Sequence, residues 1–193
     1  MNYKEEDWEN LRKKMKKVMD EKRYEHTLGV SYTAATLAMI FDEDIEKAKL
    51  AGLLHDCAKN MEHDKKIKLC KKNGYKPNQF ELDNPSLLHA RCGSILAKTK
   101  YNIDDEDVLN AICSHTTGRP GMSKLEQIIF IADFIEPGRK PWVGLDNVRR
   151  LSYEDLNKAT CQILSDMLDY LNKDDKSIDP MTQKTYEYYT RII

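Results

Sequence analysis

The chain has 193 residues, 33% of them charged and 40% hydrophobic, with 8 Gly and 6 Pro. That composition excludes low-complexity disorder, collagen and a disulfide-dense miniprotein, and a chain of this length buries roughly 70% of its unfolded surface without needing a disulfide or a metal merely to fold. Lys and Arg number 31 against 32 Asp and Glu, so the net charge is −1 and the basic excess that duplex nucleic acid requires is missing.

Helical periodicity runs along nearly the whole sequence. Trp8, Leu11, Met15, Val18 and Met19 share one face of a first amphipathic helix, and the basic run Arg12 to Lys17 forms its solvated side. A second helix is predicted from about Arg23 to Phe41, with His26, Val30, Ala34, Leu37 and Phe41 on one face. A third spans about Asp44 to Lys59, where Ala48, Ala51, Gly52 and His55 present small side chains that permit close helix packing. Asn73-Gly74 ends a short polar helix, Pro77 to Pro85 reads as a loop, and Ser86 caps a helix carrying Leu88, His89, Cys92, Ile95 and Leu96. Asp104 opens another helix, with acids in its first turn and its end near Ser114-His115. Ser123 and Glu126 form a capping-box pattern ahead of the apolar run Ile128 to Ile135, which Pro137-Gly138 stops. Ser152 starts the last long helix, with Leu156, Ile163, Leu164, Met167, Leu168 and Leu171 inward. Without strand alternation, repeat or splitting linker, the expectation is one all-α domain over residues 1–193. Its core is expected over about 20–140, followed by a C-terminal helix and tail over 152–193.

The five cysteines, Cys57, Cys70, Cys92, Cys113 and Cys161, are odd in number and form no C-x-x-C pair, which argues against a disulfide framework. The acidic start, Met1 to Asp7, lacks the apolar core of a signal peptide. The longest stretch free of charge and His, Thr27 to Phe41, is too short and too rich in Ser and Thr to span a bilayer. These features point to a reducing cytoplasm.

Of the five histidines, His63 lies in a polar run and reads as a surface residue, whereas His26, His55, His89 and His115 fall within or at the ends of mainly apolar helices. Asp56 follows His55 at the end of Ala51-Gly52-Leu53-Leu54, and Asp133 interrupts the apolar run Ile128 to Ile135. A carboxylate in such a run needs a cation, a strong donor or a metal, because desolvation of an unpaired charge is costly. Each of these residues alone reads as an ordinary hydrogen-bonded core residue. Six of them on several helices, offering imidazole and carboxylate but no thiolate, suit a divalent ion such as iron, manganese or zinc.

The order His26, His55-Asp56, Asp133 resembles the HD superfamily of metal-dependent phosphohydrolases. The surrounding residues Arg23-Tyr24-Glu25-His26, Leu53 to Lys59, Leu87-Leu88-His89-Ala90, His115-Thr116-Thr117-Gly118 and Ala132 to Arg139 narrow the match. They resemble the YqeK-type bacterial symmetrical bis(5′-nucleosyl)-tetraphosphatases from about residue 10 to the C-terminus. Tyr186-Glu187 departs from the Tyr-Asn of that pattern. Gly74-Tyr75-Lys76 lacks the Gly-Tyr-Pro of the cyclic-di-GMP phosphodiesterases, and Lys59-Asn60 replaces the Glu-Asp of the stringent-response hydrolases. The dNTP triphosphohydrolases are far longer.

The resemblance implies an HD-type helical bundle. It implies a principal metal, with iron favoured and manganese, cobalt or zinc as alternatives, on His26, His55, Asp56 and Asp133. His89 and His115 would then hold a second metal or contact phosphate. A metal-bound hydroxide would attack a β-phosphorus of diadenosine tetraphosphate, leaving two ADP. Asp56 and Lys59 are the implied catalytic residues. Substrate contacts are implied for Arg23, Asp56, Cys57, Ala58, Lys59, His89, His115, Thr116, Asp133 and Arg139, and nucleoside contacts for Asp175 to Pro180. The expected partner is a small dinucleoside polyphosphate, with neither membrane nor duplex nucleic acid, and a homodimer stays open. Two other readings stand beside it: an HD phosphohydrolase of other nucleotides, and a non-enzymatic nucleotide-binding accessory protein.

Overall fold

The computed structural model describes residues 3–173 and 177–193, and no strand occurs among them. Its helices are α1 (Glu5–Val18), α2 (Glu21–Ile40), α3 (Ile45–Leu54), α4 (His63–Lys72), α5 (Gln79–Asp83), α6 (Leu88–Tyr101), α7 (Glu106–Ser114), α8 (Lys124–Ile135), α9 (Leu145–Ser152), α10 (Leu156–Lys173) and α11 (Pro180–Tyr189). The all-α expectation is met, and most starts carry the predicted chemistry. Asp20, Asp44, Asp105 and Ser123 each accept a backbone N–H from the first turn of the helix they precede. α1 buries Trp8, Leu11 and Met15, while its basic side stays solvated, with Lys13 beside Glu9.

Several boundaries differ from the sequence expectation. α3 stops at Leu54, and residues 55–60 form tight turns instead of a continued helix. The segment Pro77 to Pro85 is not wholly a loop, because Asn78 and Glu81 form a reciprocal capping box that closes the single turn α5. Ser86 does not cap α6; it lies in a 3-10 turn, Pro85–Leu87, and its side chain makes no cap bond. Ser152 ends α9, an unforeseen helix, and α10 begins four residues later. The expected tail is partly helical, since Asp179 caps α11 with Pro180 in its first turn.

α8 is the central element. Leu125 to Ala132 are buried without interruption, as befits a helix surrounded by α2, α3, α7 and α10. α2 and α3 pack most extensively of all. Their approach is set by Gly52, where a Cβ would lie 2.8 Å from the Ser31 Cα, so the predicted small face is used as expected. Glu126 joins the end of α7 to the start of α8. It is 1% exposed, accepts from the Ser114 hydroxyl at 2.6 Å and from Arg119 at 2.5 and 2.7 Å, and receives the Ser123 backbone N–H. This fixes the turn that carries His115.

Burial raises the Glu126 pKa, but Arg119, Ser114 and Ser123 more than offset it and hold it below the usual carboxylate range. A depressed folded-state pKa contributes stability above the unfolded value of about 4.3 and loses it as pH falls through the folded value. Glu126→Gln is therefore expected to lose about 2–3 kcal/mol at pH 7, since Arg119 is only partly shielded. In urea denaturation series, the gap to the parent protein should shrink steadily below about pH 4.

Candidate metal centre

Four helices and two turns bring the predicted residues together. His26 comes from the second turn of α2, His55 and Asp56 from the turn after α3, His89 from the start of α6, His115 from the end of α7 and Asp133 from α8. His55, Asp56, His89 and His115 are each at most 2% exposed. Three overlapping sets place their ligating atoms within 4.8 Å of one another: His26-His55-Asp56, His55-His115-Asp133 and Asp56-His89-His115.

The ring orientations follow from one device. Nδ1–H of His55 donates to the Gly52 carbonyl, that of His89 to Ser86 and that of His115 to Ile112, each at 2.7 Å. Nδ1–H of His26 donates to Glu136 Oε1 at 3.0 Å. A carbonyl can only accept, so Nδ1 carries the proton and each neutral ring presents an Nε2 lone pair to the centre. The Nε2 atoms of His89 and His115 are 3.0 Å apart. His26 Nε2 lies 3.0 Å from Asp133 Oδ1, and His89 Nε2 lies 3.2 Å from Asp56 Oδ1. Despite these distances, His26 Nε2, His55 Nε2 and Asp56 Oδ1 are buried without a well-oriented hydrogen bond. Lone pairs converging on one point fit a divalent cation, and a mixed imidazole and carboxylate donor set suits iron, manganese, cobalt or zinc.

The carboxylates are held ionised. Burial would raise the Asp56 pKa, but His55 charge and donors from His115, His55 and His89 keep it well below the usual range. Asp133 is likewise depressed against its burial by His26, Arg139 and His55. Burial pulls His89 down to about 4, which keeps its ring neutral and able to ligate.

Three cations ring the cluster. Arg23 Nη1 meets Asp56 Oδ2 at 2.7 Å, Arg139 pairs with Asp133 Oδ1, and Lys59 Nζ lies 3.1 Å from His89 Nε2. Thr116 Oγ1 is 3.3 Å from the same nitrogen. Other expected contacts are arranged differently. The Cys57 thiol turns away onto the Gly93 carbonyl, with its pKa pushed up to about 12 by burial, and Ala58 packs among Cys70, Leu88 and Cys92. Only their backbone remains available near the cluster. Asp175 lies outside the described residues, and Asp179 is engaged in capping α11. His63 is exposed at the start of α4, as expected.

Glu136 is the residue that sequence reasoning left without a role. It is 3% exposed, with one oxygen on His26 and the other accepting the Gly138 N–H at 2.5 Å. Gly29 makes room for it, since a Cβ there would lie 2.6 Å from Oε2. The available signal was an acid directly between an apolar helix and Pro137-Gly138. Partners of this kind typically change metal affinity by 10–100-fold. Glu136→Ala should weaken metal retention by about 10-fold or more in chelator competition, with little change in helicity by circular dichroism.

The HD domain family model matches residues 23–138. The chain is 41% identical over 87% of its length to the symmetrical bis(5′-nucleosyl)-tetraphosphatase of Halalkalibacterium halodurans, covering 89% of that protein. It is 38% identical over 90% of its length to the symmetrical bis(5′-nucleosyl)-tetraphosphatase of Bacillus subtilis, covering 92% of that protein. Its backbone superposes with a TM-score of 0.94 on the crystal structure of a predicted HD superfamily hydrolase involved in NAD metabolism from Clostridium acetobutylicum, at 44% identity over 96% of this chain and 98% of that one. Together with the clustered His26, His55-Asp56 and Asp133, these similarities establish that the chain belongs to the HD-domain family, among the symmetrical bis(5′-nucleosyl)-tetraphosphatases.

Proposed function

We propose that the chain hydrolyses diadenosine tetraphosphate and one water to two ADP, working in the cytoplasm as one HD-type unit over residues 1–193. The observation that carries this reading is the convergence of four Nε2 lone pairs and two ionised carboxylates on one buried point, ringed by three cations. His26, His55, Asp56 and Asp133 hold a divalent ion, iron by preference. His89 and His115 take a second ion or a phosphate oxygen. When bound, the ion supplies Lewis acidity to a phosphoryl oxygen and lowers the pKa of a water.

The chain's own residues do the rest. The four Nδ1–H bonds hold the imidazoles so that no reorientation is needed when a ligand arrives. Arg23 and Arg139 now rest on carboxylates and present guanidinium forks of the shape that binds phosphate in two-point fashion. Lys59, about a third exposed and 4.0 Å from Asp56 Oδ1, offers a mobile point charge on the opposite side for charge developing on the transferring phosphoryl oxygens.

Asp56→Asn conserves volume and removes the charge, so bound metal by elemental analysis and turnover should both fall sharply. Parent-like values of the two in this variant would overturn the ligand assignment. Lys59 is a cation and cannot ligate a metal at neutral pH. Lys59→Ala should therefore keep its metal and lose about 2–4 kcal/mol of transition-state stabilisation in kcat/KM. The reaction itself is tested in ¹⁸O-water. One label should enter the terminal phosphate of one of the two ADP, whereas AMP and ATP as main products would place the enzyme in another phosphohydrolase class.

A further inference from the structure

A cleft of about 1440 Å³ opens from the cluster along α2, the segment 134–143 and the outer half of α10. That exceeds the roughly 300–1,000 Å³ of ordinary small-ligand sites. Arg23, His26 and Arg139 form the end nearest the cluster, while Lys59, His89 and Thr116 stand outside the cleft. Cleavage in the middle of a tetraphosphate leaves two phosphates and a nucleoside on each side of the reacting phosphorus. Both halves must therefore be accommodated, one on each side of the ligand cluster.

The far end of the cleft has the chemistry of a nucleoside site. Trp142 and Phe134 line it with aromatic surface, and bases of any sequence stack on such faces. Asp166, from α10, forms part of the same wall. Its Oδ1 accepts from the Gln162 side-chain amide at 3.0 Å, whereas Oδ2 is hidden from solvent without any hydrogen-bond partner. A buried acceptor left unsatisfied is rare enough to call for a donor. Burial, with the charge of Asp169, also raises the Asp166 pKa, so an N–H brought to Oδ2 would relieve a real deficit. The corner is shaped by Gly144, at φ +106°, where a Cβ would lie 3.0 Å from the Trp142 ring and 3.2 Å from Asp166 Oδ2. The indole and the carboxylate oxygen thus share one recess.

We propose that this cleft is the subsite for one of the two nucleoside halves, the one leaving on the Arg23 and Arg139 side, with its base stacked on Trp142 and donating an amino N–H to Asp166 Oδ2. The assignment rests on the diadenosine tetraphosphate reading and adds the position and recognition of that half.

Trp142→Ala and Asp166→Ala are each expected to raise KM for diadenosine tetraphosphate about 10-fold. kcat should stay within about two-fold, and metal content and thermal melting should match the parent, a split that damage to the centre would not produce. Unchanged KM in both variants, or equal losses in kcat with loss of metal, would overturn the subsite. Independently of any variant, a 2-azidoadenosine analogue of the substrate should photolabel the parent protein within 134–144 or 163–170, with protection by the unlabelled dinucleotide. Labelling confined to other segments would also overturn it. A parent protein that is labelled in the cleft but hydrolyses no diadenosine tetraphosphate would refute the proposed reaction and leave the nucleoside subsite standing.

Discussion

The centre depends on four N–H bonds at its outer edge. A neutral imidazole has one donor and one acceptor, so fixing the donor on a carbonyl or carboxylate decides where the lone pair points. In His55, His89 and His115 the acceptor is the carbonyl three residues back, Gly52, Ser86 and Ile112. The arrangement is local and falls at a helix end or in the turn beside one, where carbonyls are left without intrahelical partners. His26 cannot use it, because it sits inside α2 where carbonyls are already engaged, and it reaches instead to Glu136. Gly29 on the neighbouring turn and the N–H of Gly138 hold that carboxylate in place.

Charge balance follows from the same geometry. Two carboxylates in an apolar interior would ordinarily neutralise by taking up protons. Asp56 and Asp133 instead remain ionised beside imidazoles and beside Arg23 and Arg139. The two arginines sit between the carboxylates and the cleft, and that position lets the same forks serve an incoming polyphosphate. Lys59 approaches from another side, anchored by a turn whose own carbonyl accepts the Nζ of the buried Lys66.

The bundle holds these parts at fixed separations. α8 is buried on nearly all sides and carries Asp133, while α2 lies close to α3 through Gly52 and Ser31. His26 and His55 are thereby brought from two helices to one point. Glu126 performs a similar task at the other end of α8, tying Ser114 and Arg119 to the helix start so that the His115 turn is rigid. No described helix is long and apolar enough to cross a membrane.

Much of this was legible in the sequence because it is local. The capping box at Ser123 and Glu126, the small face of α3 and the amphipathic face of α1 are relations between residues three or four apart, which the helix period imposes directly. The clustered candidates His26, His55, Asp56, His89, His115 and Asp133 stood out because imidazoles and carboxylates in apolar runs demand a partner. α5, α9 and the early end of α3 were missed, since short helices and turns depend on neighbours more than on their own periodicity. Only the tertiary structure decided that Glu136 meets His26 across 110 positions, that the Cys57 thiol faces Gly93 instead of the centre, and that Trp142, Gly144 and Asp166 close one corner of a cleft. Those pairings are set by how helices pack, and side-chain spacing along a chain carries no record of which distant residue will fill the other half of a hydrogen bond.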